Sequence, residues 1–448
     1  MTQVAPPSVR GFATRLREAL ASGPYASLNK SLLARVSVFA PSLVSSLLIA
    51  RLVLVHFGAT QYATYTLALA LIAIYPLNDV GVGAPIISSM AADGEVSESV
   101  NRQALTAARL FGASTVALCG AVFLVAMFGV WHDVVGNIGM GSFIGLSFCG
   151  VFYALSFVPS LSQSLLLGGH KNHVSMILQG VQSLLSLFAV ISILLLKGRG
   201  DLVPAIPGFT LLIVNLIGVW LSGRLLRFNW GSLMARLARP KRFPGLSIRT
   251  YSLPMLIITT VLPLAWQSDR LVLSHILNTQ AVVNYSITFQ IFTPIIALAV
   301  AAAQPLWPVY AAQRAGKGSA PNVAKLVGIF TLSAAVVGSI LVICTPYLAA
   351  LISGNRAHVG LELPLCAMFM TVAVAAHYPL GVYLTDRKGL RYQAICCTVA
   401  LPINVSLSIW LSKTVGPAGP LLGTAIAFSL CQLIPYFVYL RAESQPSR

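Results

Sequence analysis

Two arginines, Arg51 and Arg270, stand in apolar stretches and open almost the same string, RLVLVHFGATQ at 51–61 and RLVLSHILNTQ at 270–280. A guanidinium keeps its charge and offers a planar fork of donors that matches phosphate oxygens. Within a membrane such a group is costly, so a watery cavity or an anion is its expected partner. Both arginines also sit one or two turns from the ends of their stretches, close enough for a long side chain to snorkel to the interface. In the second stretch Pro263, Gln267, Arg270 and Ser274 fall near one helical face, and Pro254 and Pro263 are placed to bend it. That pattern favours a face lining a cavity.

The acidic residues make the two strings chemically unequal. Asp269 precedes the second arginine, whereas Ala50 precedes the first. Asp269 would bind a proton or sodium ion, or pair with Arg51 to close an outer gate; the plainer role is to neutralise a nearby arginine. Arg35 and Asp79 fall near the inner ends of the first and second apolar stretches. They would pair as an inner gate, or else snorkel and end a helix at GVG. His56 and His275 read as interfacial side chains rather than proton relays. All seven cysteines lie in apolar stretches without paired spacing in a loop, so neither a disulfide framework nor a zinc site is expected.

Membrane helices must position these groups. Hydrophobic residues make up 57% of the 448, charged residues only 9%, and the mean hydropathy is +0.83, far from a soluble globular chain. A crossing helix needs about 20 apolar residues, and twelve are expected. They fall into an N-lobe over 32–226 and a C-lobe over 250–440, six each, joined by a basic linker at 227–249. A segment at 1–31 is expected to carry an amphipathic helix on the inner surface or a solvated tail, and 441–448 forms a tail. The opening segment has no apolar core or small-residue cleavage site, so no removable signal peptide is expected.

Of the 29 Lys and Arg residues, 22 fall in one set of loops and 4 in the other. This bias predicts both termini in the cytoplasm. A formal charge of +18 concentrated at inner faces is explained by topology and anionic lipid, so nucleic acid is not an expected partner. No loop is large enough for a catalytic domain and no P-loop occurs, which disfavours an ATP-driven pump, a glycosyltransferase or any other enzyme. The two strings match at seven of eleven positions with an offset of 219, about half the chain. Six spans separate them, so the copies share an orientation, as in parallel repeats that handle a substrate between two lobes.

The run HFGATQYATYTLALALIAIYPLNDVGVGAPI at 56–86 resembles the start of Wzx-type polysaccharide flippases of the multidrug/oligosaccharidyl-lipid/polysaccharide superfamily, through Gly58, Tyr62, Tyr65, Asp79, Gly81 and Gly83. QSDRLVLSHILNTQAVVNYSITFQ at 267–290 is similar to that family's seventh helix and following turn, through Asp269, Arg270 and Tyr285. Leu277 departs from it where a glycine is common. LTDRKGLR at 384–391 looks like a loop of major facilitator transporters, but it follows the tenth span, and a solvated basic turn is the better reading.

The flippase resemblance implies an all-α, MATE-like architecture in a cell inner membrane. The implied activity is movement of a polyprenyl-pyrophosphate-linked oligosaccharide between leaflets by alternating access. Arg51, Arg270, Gln267 and Arg35 would face the pyrophosphate and cavity, with Asp269 and Asp79 as coupling or gate residues. No cofactor is implied beyond proton or sodium coupling. Membrane lipid and a polysaccharide polymerase or export machinery are the implied partners. A cation-coupled drug exporter of the same superfamily is the alternative.

Overall fold

In hydrocarbon every backbone N–H and C=O must be satisfied within its own segment or a closed barrel, and a chain of apolar 20-residue stretches meets that demand as helices. The computed structural model describes residues 25–74, 83–93, 95–136, 143–169, 171–237, 239, 242, 249–303, 306, 309–310, 313 and 322–444. Among these residues there is no strand. The expected 1–24 part of the amphipathic segment lies outside them.

The helices run α1 (Tyr25–His56), α2 (Ala59–Ile74), α3 (Gly83–Asp93), α4 (Glu98–Met127), α5 (Trp131–Val135), α6 (Phe143–Leu155), α7 (Phe157–Gly168), α8 (Asn172–Leu195) and α9 (Ile206–Leu225) in the first half. After a linker helix, α10 (Trp230–Leu237), follow α11 (Arg249–Ile276), α12 (Thr279–Ala303), α13 (Val323–Ser353), α14 (Glu362–Tyr383), α15 (Arg387–Val415), α16 (Gly419–Phe428) and α17 (Ile434–Ser444). Eight described helical stretches are long and apolar enough to cross a bilayer, and α6 with α7, bent by 48°, makes a ninth. One of the eight, Lys388–Ala442, turns back on itself at Gly416, and α11 is 28 residues long though it carries Asp269 and Arg270. This order is compatible with twelve spans.

Local chemistry sets the helix ends. Ser97, Asn322 and Asp386 cap α4, α13 and α15 by accepting from backbone amides. The Asp386 cap, bonded by Lys388 and Gly389, accounts for the LTDRKGLR turn without a signature loop. Both copies of the repeated string form the same unit, a helix end, a tight turn and a new helix. In the first copy Gly58 makes the turn at φ +93°. In the second, Asn278 accepts from the Ala281 amide at 2.9 Å, so Leu277 needs no left-handed backbone.

The same pairing recurs in each half. The first long helix packs on the fifth span, α1 on α8 and α11 on α15, and the sixth span closes against the fourth, α9 on α6 and α7 and α16 on α14. Large apolar side chains such as Phe123, Phe188, Leu332 and Ile343 are exposed on the outside, where lipid solvates them. The halves meet where α2 packs on α11 and α12 and where α1 packs on α12 and α13. One end of the bundle, where α1 and α13 terminate, carries the clasp described below. The opposite, basic end carries the linker helix α10 and the turn before α15.

Candidate functional site

Arg270 lies on α11 at the seam between the lobes. It lines a cavity of about 320 Å³ with Ser42 and Ser46 of α1, Tyr62 and Thr66 of α2, and Ser286 and Gln290 of α12. Two hydrogen bonds cross the seam around it, from the Tyr62 hydroxyl to Gln290 Oε1 at 3.3 Å and from Ser286 Oγ to Thr66 Oγ1 at 3.2 Å. The guanidinium lies over the Phe289 ring at 5.1 Å and donates to Gln267 Oε1 one turn earlier. Its Nε is buried without a partner, and no carboxylate of a described residue comes within 4.0 Å. A cation is thus held at membrane depth by a π face and a neutral amide, with donors left over for an anion.

Asp269, the adjacent residue, points the other way, into the C-lobe, where it is 1% exposed. Three hydroxyls converge on its carboxylate, each at 3.0 Å: Ser408 of α15 on Oδ1, and Tyr285 of α12 and Thr424 of α16 on Oδ2. Thr424 in turn accepts from Asn404 Nδ2 at 2.7 Å. Hydroxyls rather than a salt-bridge partner hold this group. A carboxylate satisfied by rotatable O–H groups can exchange a donor for a proton or a small cation with little rearrangement.

Arg51 occupies a different setting from Arg270. It is exposed beside apolar residues of α12 and α13 and donates to the Leu351 carbonyl in the last turn of α13. Arg356, just beyond α13, donates to the Leu54 carbonyl near the end of α1 at 2.6 Å. Two helix ends from opposite lobes therefore exchange arginines, each cation meeting the negative end of the other's helix dipole. Next to this clasp, His275 Nε2 contacts the Asp133 carbonyl of α5 at 3.0 Å. Gly136, at φ +80°, packs so closely on Ser274 that a Cβ there would stand 2.6 Å from its carbonyl oxygen. The interlobe hydrogen bonds of the described residues lie either around Arg270 or at this end.

Sequence reading therefore named residues that the fold distributes over three settings. Arg270 lines the cavity and is held by Gln267, which is not itself part of the lining; Asp269 turns inward and Arg51 joins the clasp. Asp79 and the side chain of Arg35 lie outside the described residues. The hydroxyls of Ser408 and Thr424 carried no sequence signal, since Ser and Thr are frequent in transmembrane helices; Tyr285 was visible in its motif, but not its contact with Asp269. Arg356 read only as one of the few basic residues in an outer loop.

A family model described as "Polysaccharide biosynthesis protein" matches residues 31–313. No curated protein matches the chain. Among solved structures, an inward-closed lipid II flippase MurJ superposes with a TM-score of 0.67 at 14% identity, over 92% of this chain and 87% of that one. An inward-facing multidrug resistance MATE family transporter of the MOP superfamily gives 0.63 at 15% identity, over 93% and 100%. A MOP superfamily transporter from Pyrococcus furiosus, whose reversed binding-pocket polarity is taken to suggest a different function, gives 0.52 at 15%, over 95% and 96%. At these identities the likeness is one of fold: a multi-pass bundle of helices arranged as in these transporters.

Proposed function

Since the chain belongs to the polysaccharide biosynthesis protein family, we propose that it is a flippase that carries a polyprenyl-pyrophosphate-linked oligosaccharide from the cytoplasmic to the outer leaflet of a cell inner membrane. The observation that carries this reading is Arg270, a cation facing the interlobe cavity with an unpartnered Nε and no carboxylate of a described residue within 4.0 Å. A pyrophosphate would take the free edge of the guanidinium, with Ser286 and Gln290 as neutral polar groups around it. The cavity of about 320 Å³ suits a headgroup, so the sugars require the lobes to part and the polyprenyl chain stays in lipid.

In this reading the basic end is cytoplasmic, as the distribution of Lys and Arg predicts, and the clasp closes the outer side. Breaking the clasp and closing the basic end would then present Arg270 to the other leaflet. An inside-negative potential favours outward movement of an anion by about 2.3 kcal/mol per charge per 100 mV. Asp269, seated in the C-lobe beside Arg270, is our candidate for cation coupling: protonation or ion binding there changes the field at the neighbouring guanidinium. No covalent step is involved. A polysaccharide polymerase or export complex would take the product.

A cation-coupled drug exporter, the other reading of the same fold, needs a cavity that attracts cations, and the Arg270 charge opposes it. The test is lipid analysis of cells lacking the protein, complemented with wild type or Arg270→Ala at equal expression. Accumulation of a polyprenyl-linked oligosaccharide, relieved by wild type alone, is expected. No accumulation, together with new sensitivity to cationic drugs, would replace the flippase with the exporter.

A further inference from the structure

A groove of about 870 Å³, larger than the cavity at Arg270, runs down the outer flank of the C-lobe. Its floor is α14, where Phe369, Val372, Ala373 and Ala376 share one face at helical spacing. α13 and the span formed by α16 and α17 both pack on α14 and form the walls. Ala373 and Ala376 are buried, and their short side chains leave the floor low between those walls. On the α16–α17 wall the lining residues recur every three or four positions from Leu422 to Arg441. That stripe is about 28 Å long at about 1.5 Å per residue, close to the ~30 Å thickness of a hydrocarbon core.

The groove is apolar along its length and charged at one end. Thr331 and Ser429 are the polar residues within it, and the Thr331 hydroxyl donates to the Val327 carbonyl of its own helix at 2.7 Å. Arg441 stands at the basic end, its guanidinium over the Phe437 ring at 4.8 Å. Exposed Lys325 of α13 and Lys388 and Arg391 of α15 add charge at that end. The start of α15 is held beside α17 by the Tyr392 hydroxyl, which donates to the Pro435 carbonyl at 3.2 Å. Lys325 and Lys388 lie in first turns, at the positive end of a helix dipole, so the dipoles add to their field instead of offsetting it. The acids of these segments are Asp386, occupied in capping α15, and Glu443.

We propose that this groove is a binding site for an anionic phospholipid of the leaflet at the basic end, with one acyl chain laid along α14 and the phosphate at the Arg441 rim. A volume of about 870 Å³ spread over about 28 Å leaves a mean section of about 30 Å². A helix about 10–12 Å across covers more than twice that, so a partner helix is too wide for the groove, whereas an extended hydrocarbon chain is not. A free phosphate would use the rim alone and leave the apolar length unfilled. Basic pockets between membrane helices suit anionic head groups for the same electrostatic reason. A chain in the groove touches three helices at once and braces α13, whose far end receives Arg51 in the clasp, against the last span. The site stands apart from the Arg270 cavity and does not depend on what that cavity carries.

The test is photolabelling of the full chain in phosphatidylcholine nanodiscs that hold a minor fraction of phosphatidylglycerol with a photoreactive acyl chain. Boundary lipid labels any exposed apolar surface, so Phe123 of the N-lobe, about as exposed as Phe369 and Val438 of the groove, is the control. We expect Phe369 and Val438 to be labelled several-fold more than Phe123. The same photoreactive chain on phosphatidylcholine should label groove and control alike, and excess inorganic phosphate should change neither. Arg441→Gln should lower the groove labelling about fivefold, the worth of one basic residue at a charged membrane surface. Ala373→Phe should remove it by filling the floor; if that variant fails to fold, Arg441→Gln, a change at an exposed position, still decides. A groove labelled no better than Phe123, labelled equally from both head groups, or indifferent to Arg441→Gln would overturn the site. Displacement by inorganic phosphate, or by polyprenyl phosphate in preference to unlabelled phosphatidylglycerol, would replace the phospholipid as its occupant.

Discussion

The interiors of the two lobes share a helix arrangement but not a chemistry. In the N-lobe the buried polar groups are neutral and, apart from Gln103 Oε1, answer one another: Gln163 donates to Asn215 at 3.4 Å, Ser175 donates to Gln163, Asn215 reaches the Ser156 carbonyl at 3.5 Å, and Ser186 meets Thr210 at 3.0 Å. In the C-lobe the corresponding space holds a carboxylate, three hydroxyls on it and several unanswered atoms. Satisfied neutral networks make a rigid body, whereas a charged and partly satisfied one has a second state available to it. In the proposed mechanism the N-lobe is then the frame and the C-lobe the half that would respond to a cation.

Exchanging the residues before the two arginines should break this comparison most severely. Ala50 is 1% exposed in an apolar cluster with Ile49 and Val53, so Ala50→Asp places a carboxylate where no hydroxyl waits. The cost of an acid at the membrane centre is about 2.5 kcal/mol or more, and the variant should melt well below wild type in detergent. The reverse change, Asp269→Asn, keeps the volume and an acceptor, so it should fold while losing transport driven by an imposed gradient. Equal melting of Ala50→Asp and wild type would show that the N-lobe interior is as tolerant as its partner.

Much of the fold was legible because hydropathy and the duplicated string report on helices directly. The site was legible only where a residue type is improbable in lipid. Arg270 and Asp269 announced themselves by their charge, and Arg51 did so equally, yet its guanidinium meets a carbonyl of α13 rather than the cavity. Sequence spacing could not separate these outcomes, because both arginines open the same string and only the helix packed beside each one decides where the side chain goes. Ser408 and Thr424 lie 139 and 155 residues from Asp269, and nothing in a single sequence joins them.

Within the pair of arginines, the next largest effect belongs to the cavity. Hydrogen bonds to a charged group contribute about 1.5 to 3 kcal/mol, so Arg270→Ala should weaken binding of a polyprenyl pyrophosphate by about ten- to a hundredfold in a direct binding assay. Arg270→Lys should recover part of that, since the charge returns without the planar fork. Arg51→Ala should leave the same affinity within about twofold, because its guanidinium is turned to Leu351. Equal losses in Arg51→Ala and Arg270→Ala would mean that both arginines meet the substrate in some state of the cycle.

The clasp should show a smaller effect of a different kind. Each arginine at a helix C-terminus contributes about 0.3 to 1 kcal/mol, so Arg51→Ala with Arg356→Ala should move the closed-to-open ratio by about threefold to thirtyfold at that end. Spin labels placed at the exposed Leu48 and Val337 would report it as a new long-distance population. An unchanged distance distribution would assign closure to the Gly136 and His275 contacts instead.

Smallest of all should be the change at the seam itself. The Tyr62 hydroxyl donates to Gln290 across the lobes at 3.3 Å, a long hydrogen bond of a kind that averages about 0.6 kcal/mol between membrane helices. Tyr62→Phe leaves the ring in place and removes only that link, so melting should shift little. If the seam parts during each cycle, the bond is broken on every turnover and its loss should speed opening slightly, with transport at saturating substrate unchanged or modestly raised. A marked fall in transport with melting preserved would instead mean that the hydroxyl touches the substrate, and would enlarge the anion site from Arg270 to the α2 side of the cavity.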